Sequence, residues 1–251
     1  QEAFIKAGRS ASQTSFHENY ITAEALIGLL AIGDEFHWDD NKHAVKWEGH
    51  KLKGRPEKER GDIAVFVRIQ LTKEHHVYGV AYYEAKRQYY DGDKRLGFKA
   101  FDHQQLQRIT KNVQAGSVVL YDADKKDGEV LRTHINALPM AFVNALVKSD
   151  PNKSLREIEG QPKLREHGRL WAISLFENLR GLGLDFNEQH VMEMRDWVQQ
   201  RNGPVFVVNA TVSHGLDLEL TLENFLGDHY EHKIVQQPEV KRSRGIEPGG
   251  R

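Results

Sequence analysis

Asp62 and, twenty-two residues further on, Glu84-Ala85-Lys86 are the residues of this chain best suited to chemistry. Each stands at a strand-like segment. Gly61-Asp62-Ile63-Ala64-Val65-Phe66-Val67 opens one β-rich run, and Val80-Ala81-Tyr82-Tyr83-Glu84-Ala85-Lys86 closes the next. Successive side chains alternate across a strand, so Glu84 and Lys86 share a face. A hairpin-like return brings Asp62 beside them. Two carboxylates and an ammonium at one strand end make a site for a hard cation with a cationic helper. That set suits metal-assisted cleavage of a phosphodiester. The plainer readings are an exposed Glu84–Lys86 ion pair, worth little, and simple turn chemistry at Gly61-Asp62.

Phosphate would need positive charge nearby, and the average charge does not supply it. The chain has 35 Lys and Arg against 36 Asp and Glu, a net charge of −1. Positive charge is instead local. Lys51, Lys53, Arg55, Lys58 and Arg60 precede Asp62. Lys86, Arg87, Lys94, Arg95 and Lys99 follow, interleaved with Tyr89, Tyr90 and Phe98. Lys53, Arg55, Arg87, Lys94, Arg95 and Lys99 are the candidate contacts to a nucleic-acid backbone. Each cluster alone is also what a solvated loop looks like.

The elements that must position these residues follow from periodicity and punctuation. A helix is predicted from Ser15 to Ala31, with Ser15 as N-cap, Glu18 in the capping-box position and Gly33 as the stop. Glu18 falls on the apolar face with Ile21, Ala25 and Leu29. A short strand is predicted at Ala44–Trp47, then strands at 62–71 and 76–86 joined by a polar turn. Residues 89–97 read as a loop with Asp91-Gly92 at its tip. Helices are predicted at 99–112, 135–147, 164–180 and 188–201, and β-strands at 116–121 and 205–212. Helix, hairpin strands, helix, strand, helix is the order of an α/β layered core with a mixed sheet. Residues 1–148 are read as that core. Residues 149–237 extend its sheet or stand as a mainly helical subdomain, and 238–251 read as a disordered tail.

Composition narrows the function classes. The chain has 251 residues, 39% of them hydrophobic and 28% charged, as in soluble globular proteins. No apolar run approaches the ~20 residues of a membrane span, and no charged-then-apolar leader is recognised. Cysteine is absent, which removes disulfides, thiolate nucleophiles and cysteine-ligated metals and agrees with a cytoplasmic location. Beginning at Gln1, the chain is read as a trimmed form or a piece of a longer protein with flanking domains.

A Glu on a first helix, an Asp opening a strand and Glu-x-Lys on its neighbour resemble the PD-(D/E)xK nucleases, also called restriction-endonuclease-like. The resemblance covers roughly residues 15–147, with Gly61 where the motif name has Pro. It implies that Asp62 and Glu84 hold one or two Mg²⁺ ions (Mn²⁺ as substitute), joined by the backbone carbonyl of Ala85. Glu18 would serve a second ion directly or through water. Lys86 would orient water or stabilise developing charge, and Gln105, or else Gln104, would position water or substrate. Two acids beside Lys86 oppose a lowered pKa, which favours charge stabilisation over base catalysis. The implied activity is hydrolysis of phosphodiester bonds, in DNA rather than RNA, in restriction, phage defence or repair. A homodimer would place two symmetric sites on a duplex.

Other patterns are weaker. Thirteen His residues are scattered without His-Glu-x-x-His, so zinc is not expected. Asp122 to Glu129 fails the EF-hand spacing because Asp127 stands where Gly is needed. No Walker A or Gly-x-Ser-x-Gly pattern occurs. The rival readings are a non-catalytic nucleic-acid-binding or assembly module on the same fold and, more weakly, a small-molecule phosphohydrolase.

Overall fold

Runs of β-branched and aromatic residues build the centre of this protein, and helices cover both faces of the resulting sheet. The structure, a computed structural model, describes residues 18–40, 42–53, 61–98, 104, 106, 107, 109, 115–149, 164–201, 203–215 and 220–232. Helix α1 spans Glu18–Leu30, followed by β1 (Glu35–Trp38) and β2 (His43–Leu52). Next come β3 (Ile63–Gln70), β4 (His76–Asp91) and β5 (Lys94–Phe98). Residues 104, 106, 107 and 109 are helical. Strands β6 (Gly116–Lys126) and β7 (Glu129–Pro139) lead into α2 (Met140–Ser149). A 3₁₀ turn at Leu164–His167 and β8 (Arg169–Leu170) precede α3 (Trp171–Leu179) and α4 (Glu188–Gln199). The described residues finish with β9 (Phe206–His214) and β10 (Tyr230–His232).

The sheet runs β1-β2-β9-β3-β4-β6-β7-β8, with β10 also on β2 and β5 on β4. It is mixed. β3 is antiparallel to β4 but parallel to β9, and β4 is parallel to β6. Strand β3, Ile-Ala-Val-Phe-Val-Arg-Ile-Gln, is apolar on both faces for its first five residues because both faces are covered. Ile63, Val65 and Val67 pack with Ile21 and Leu26 of α1 and Trp171 and Leu175 of α3. Ala64 and Phe66 pack with Val143 of α2, Val191, Met194 and Trp197 of α4, and Leu106 and Ile109. Each such aliphatic side chain contributes about 1.5–3 kcal/mol by leaving water. The result is a mixed α/β fold with helices on both sides of a large sheet. None of the helices among the described residues is long and apolar enough to cross a membrane.

Strand β9 lies between β2 and β3, so the C-terminal part contributes to the same sheet, one of the two readings left open for 149–237. Other expectations change. The predicted 135–147 helix is strand up to Pro139 and helix only from Met140. Proline cannot sit inside a helix without removing a hydrogen bond and clashing with the preceding turn. The predicted 164–180 helix is broken at Gly168. A Cβ there would lie 2.7 Å from the Ala137 carbonyl oxygen, so the chain passes the sheet edge where only glycine fits. The expected loop at 89–97 is largely the β4–β5 hairpin, whose tip does hold Gly92 with positive φ. Ser15, Arg55, Lys99, Gln105 and the 238–251 segment lie outside the described residues.

Candidate active site at the end of the β3–β4 hairpin

The β3–β4 ladder stops one residue short of the acidic cluster. Its last pair is Ile63 with Tyr83, whereas β4 continues to Asp91. Gly61 makes the transition. Its φ of +106° is one that L side chains rarely adopt, and a Cβ would lie 3.0 Å from the Tyr83 carbonyl oxygen. Proline, locked near −65°, is excluded from this conformation. The bend lets Asp62 N–H donate to the Tyr83 carbonyl at 2.9 Å. The Asp62 carboxylate then accepts from the Ala85 N–H, also at 2.9 Å. One residue thus replaces the missing ladder with its own backbone and side chain.

A second carboxylate does the same two residues along. Glu18, at the start of α1, accepts from the Arg87 N–H at 3.1 Å. Thr22 fixes that end of the helix. Its hydroxyl donates to the Glu18 carbonyl at 2.9 Å and lies 2.5 Å from the Tyr121 hydroxyl, which must therefore donate to it. Tyr121 is the β6 residue paired with Arg87, so α1, β4 and β6 are tied at one point. In this strand geometry the N–H and C=O of one residue point the same way, so the Ala85 carbonyl faces the gap that Asp62 and Glu18 flank.

Glu84, Lys86 and Gln88 alternate onto one face of β4 and are 2%, 8% and 1% exposed. The Lys86 ammonium lies 2.5 Å from Glu84 Oε1, while Glu84 Oε2 is buried with no hydrogen-bond partner. Burial pushes the carboxyl groups of Glu18 and Asp62 above their ordinary values, with Lys86 working against the rise. For Glu84, burial and then the Asp62 charge raise the carboxyl to about 7, again against Lys86. Burial by itself would lower Lys86, but the carboxylates of Glu84 and Asp62 outweigh it and hold the ammonium charged. The cluster therefore holds an excess of acidic groups over its one buried ammonium.

The structure brings Asp62, Glu84, Ala85 and Lys86 together and sets Glu18 at the edge of the group. The oxygens of Glu18, Asp62 and Glu84 do not all come within 4.8 Å of one another. Among the basic candidates, Lys53 and Lys94 are exposed, and the Arg87 guanidinium lies 4.5 Å over the Tyr89 ring. Arg95 is different. Its guanidinium bonds Asp122 at 2.9 Å, Asp124 at 3.1 Å and the Ala123 carbonyl at 3.0 Å. Arg165 reaches the same two acids, Asp122 at 2.5 Å and Asp124 at 3.0 Å. Arg95 therefore braces β5 against β6 and is not a free phosphate contact. Those aspartates, compared above with an EF-hand loop, belong to β6 and its arginine network.

Gln104 is helical and exposed. Gln88 was missed. Its Nε2 donates to the Tyr89 carbonyl at 3.0 Å, and its Oε1 is buried without a partner. The available signal was its spacing, two residues beyond Lys86, but the strand had been expected to end at 86. No family model, no curated protein and no solved structure matches the chain.

Proposed function

We propose that this protein is a Mg²⁺-dependent nuclease that hydrolyses phosphodiester bonds in DNA, on a restriction-endonuclease-like core. One observation carries the reading. Where β3 leaves β4, carboxylates from two distant segments cap the alternate β4 amides of Ala85 and Arg87, beside a buried Glu84–Lys86 pair whose second carboxylate oxygen has no partner. An unpartnered buried oxygen is costly unless something positive meets it. Carboxylate and carbonyl oxygens are the donors Mg²⁺ prefers, usually one or two carboxylates with water and phosphate completing the set. Asp62, Glu84 and the Ala85 carbonyl would hold the ion, with Glu18 reaching it through water. The chemistry supplied by the ion when bound is a lowered pKa of water and neutralised charge on the phosphate.

The chain's own groups have separable tasks. Lys86, held charged by its neighbours, places a fixed positive charge where negative charge develops and is unsuited to accept a proton. Asp62 and Glu18 hold this stretch of β4 in place through the Ala85 and Arg87 amides. Gln88, on the same face as Glu84 and Lys86, positions polar ligands at the inner wall. Of the candidate cations, Lys53, Arg87 and Lys94 would meet the substrate backbone. The helix α1, the β3–β4 hairpin, the helical residues 104, 106, 107 and 109 and the parallel strand β6 support the restriction-endonuclease-like assignment. The preference for DNA and the pairing of two copies on a duplex rest on the resemblance.

The test is incubation with linear, circular and single-stranded DNA and with RNA, in Mg²⁺ and in chelator. Cleavage should require Mg²⁺, vanish in Asp62→Ala, and fall by about 10²–10³-fold in Lys86→Ala. Both variants should still bind DNA. Undiminished cleavage in both would remove the site. Binding without cleavage in the wild type would assign the fold to a non-catalytic nucleic-acid-binding module instead.

A further inference from the structure

A second cluster of ligand-type side chains lies two strands away from Asp62. Glu48 and His50 alternate onto one face of β2, and His232 of β10 is paired in register with His50. Their side chains converge. His50 Nε2 lies 3.0 Å from Glu48 Oε1, and His232 Nε2 lies 3.4 Å from Glu48 Oε2. One ligand atom from each of the three residues falls within 4.8 Å of the others. The two imidazole rings are 5.1 Å apart at 70° and do not stack.

We propose that Glu48, His50 and His232 bind a transition-metal ion of the zinc class, clamping β10 to β2. Three features favour an ion over a chance ion-pair cluster. First, ligand atoms ~2.0–2.1 Å from a tetrahedral centre lie roughly 3.3 Å apart, and the two imidazoles lie at close to that spacing, 3.0 and 3.4 Å, from the oxygens of one carboxylate. Second, His50 Nε2 is buried 3.0 Å from Glu48 Oε1 but is not aligned to donate a good hydrogen bond to it. A metal would satisfy it from a direction that Glu48 cannot. Third, Glu48 is already oriented. Asn209, its partner on β9, donates to Oε1 at 2.8 Å and holds itself on the Glu223 carbonyl at 2.9 Å. Supporting hydrogen bonds of this kind fix metal ligands in place.

Two imidazoles and one carboxylate leave a fourth position open on a tetrahedral ion. The three side chains line a cavity of ≈ 440 Å³, together with Glu223, Asp228 and Tyr230, that could admit a fourth ligand. Nitrogen ligands separate this site chemically from the cluster at Asp62. Imidazole suits Zn²⁺ and Co²⁺, whereas an all-oxygen set suits Mg²⁺. The proposal does not depend on nuclease activity.

The experiment is titration of the metal-free full chain with Co²⁺ near neutral pH, followed by visible absorption, and then displacement by Zn²⁺. One equivalent should produce the d–d bands of a low-coordinate, imidazole-ligated ion, and Zn²⁺ should abolish them. His232→Ala and His50→Ala should lose the bands, and Asn209→Ala should weaken binding by about 10–100-fold. Asp62→Ala should keep them. His232 has a side chain 47% exposed, so its removal tests the site without opening the core. Zn²⁺ should also raise the melting temperature of the wild type but not of His232→Ala. Absence of the bands in the wild type, or their survival in both histidine variants, would overturn the proposal.

Discussion

Replacing Glu84 with glutamine removes an ionisation that the folded chain resists. Glu84 is 2% exposed. Burial, then the neighbouring Asp62 carboxylate, moves its carboxyl from 4.5 to about 7, even with Lys86 beside it. In the unfolded chain the same carboxyl returns to its ordinary value. Between these values the folded state binds more protons than the unfolded state, so stability falls as pH rises. The contribution is fully present below about pH 4.5 and is lost as pH passes through about 7. At 1.36 kcal/mol per pH unit the loss comes to roughly 3 kcal/mol. In a chain of 251 residues, that corresponds to a melting shift of about 6–12 °C. Glu84→Gln keeps the shape and the neutral state at every pH. It should match the wild type near pH 4.5 and exceed it by about 3 kcal/mol near pH 8, measured in chelator by chemical denaturation. Added Mg²⁺ should then stabilise the wild type near pH 8 more than the variant, because a cation offsets the charge the variant lacks. A stability difference between the two proteins that stays constant across this pH range would refute the reasoning.

Two further substitutions test the scaffold. Gly61→Ala places a Cβ against the Tyr83 carbonyl at a φ of +106° and should cost about 1–3 kcal/mol, with a matching loss of cleavage as Asp62 shifts. Denaturation midpoints and cleavage rates equal to the wild type would show that the bend is not needed. Asp122→Ala leaves the guanidinium groups of Arg165 and Arg95 without the more buried of their two shared carboxylates and should cost about 3–5 kcal/mol by urea denaturation. A loss below about 1 kcal/mol would place this network with weak surface ion pairs.

The acidic cluster was legible because its logic is local. Glu84 and Lys86 share a face by strand alternation alone, and the turn between β3 and β4 is short enough to return Asp62 to their level. The same alternation marks Gln88, which falls between the strand read as ending at Lys86 and the polar stretch 89–97 that reads as loop. Strand β7 was illegible for a related reason. Residues Glu129 to Thr133 are largely exposed and carry no alternating apolar face, while Met140 onward is strongly helical and drew the boundary back past Pro139.

Spacing along the chain determined which side chains lie together on one strand or helix, and therefore that carboxylates and an ammonium stand side by side at Glu84 and Lys86. Tertiary structure alone decided that β9 enters between β2 and β3, that Glu18 reaches across from α1 to cap Arg87, that Arg95 is taken by Asp122, and that His232 meets Glu48 and His50. Each of those contacts joins segments far apart in sequence. Closing such loops costs entropy that only the packing of the whole sheet offsets, so no local pattern announces which edges will meet.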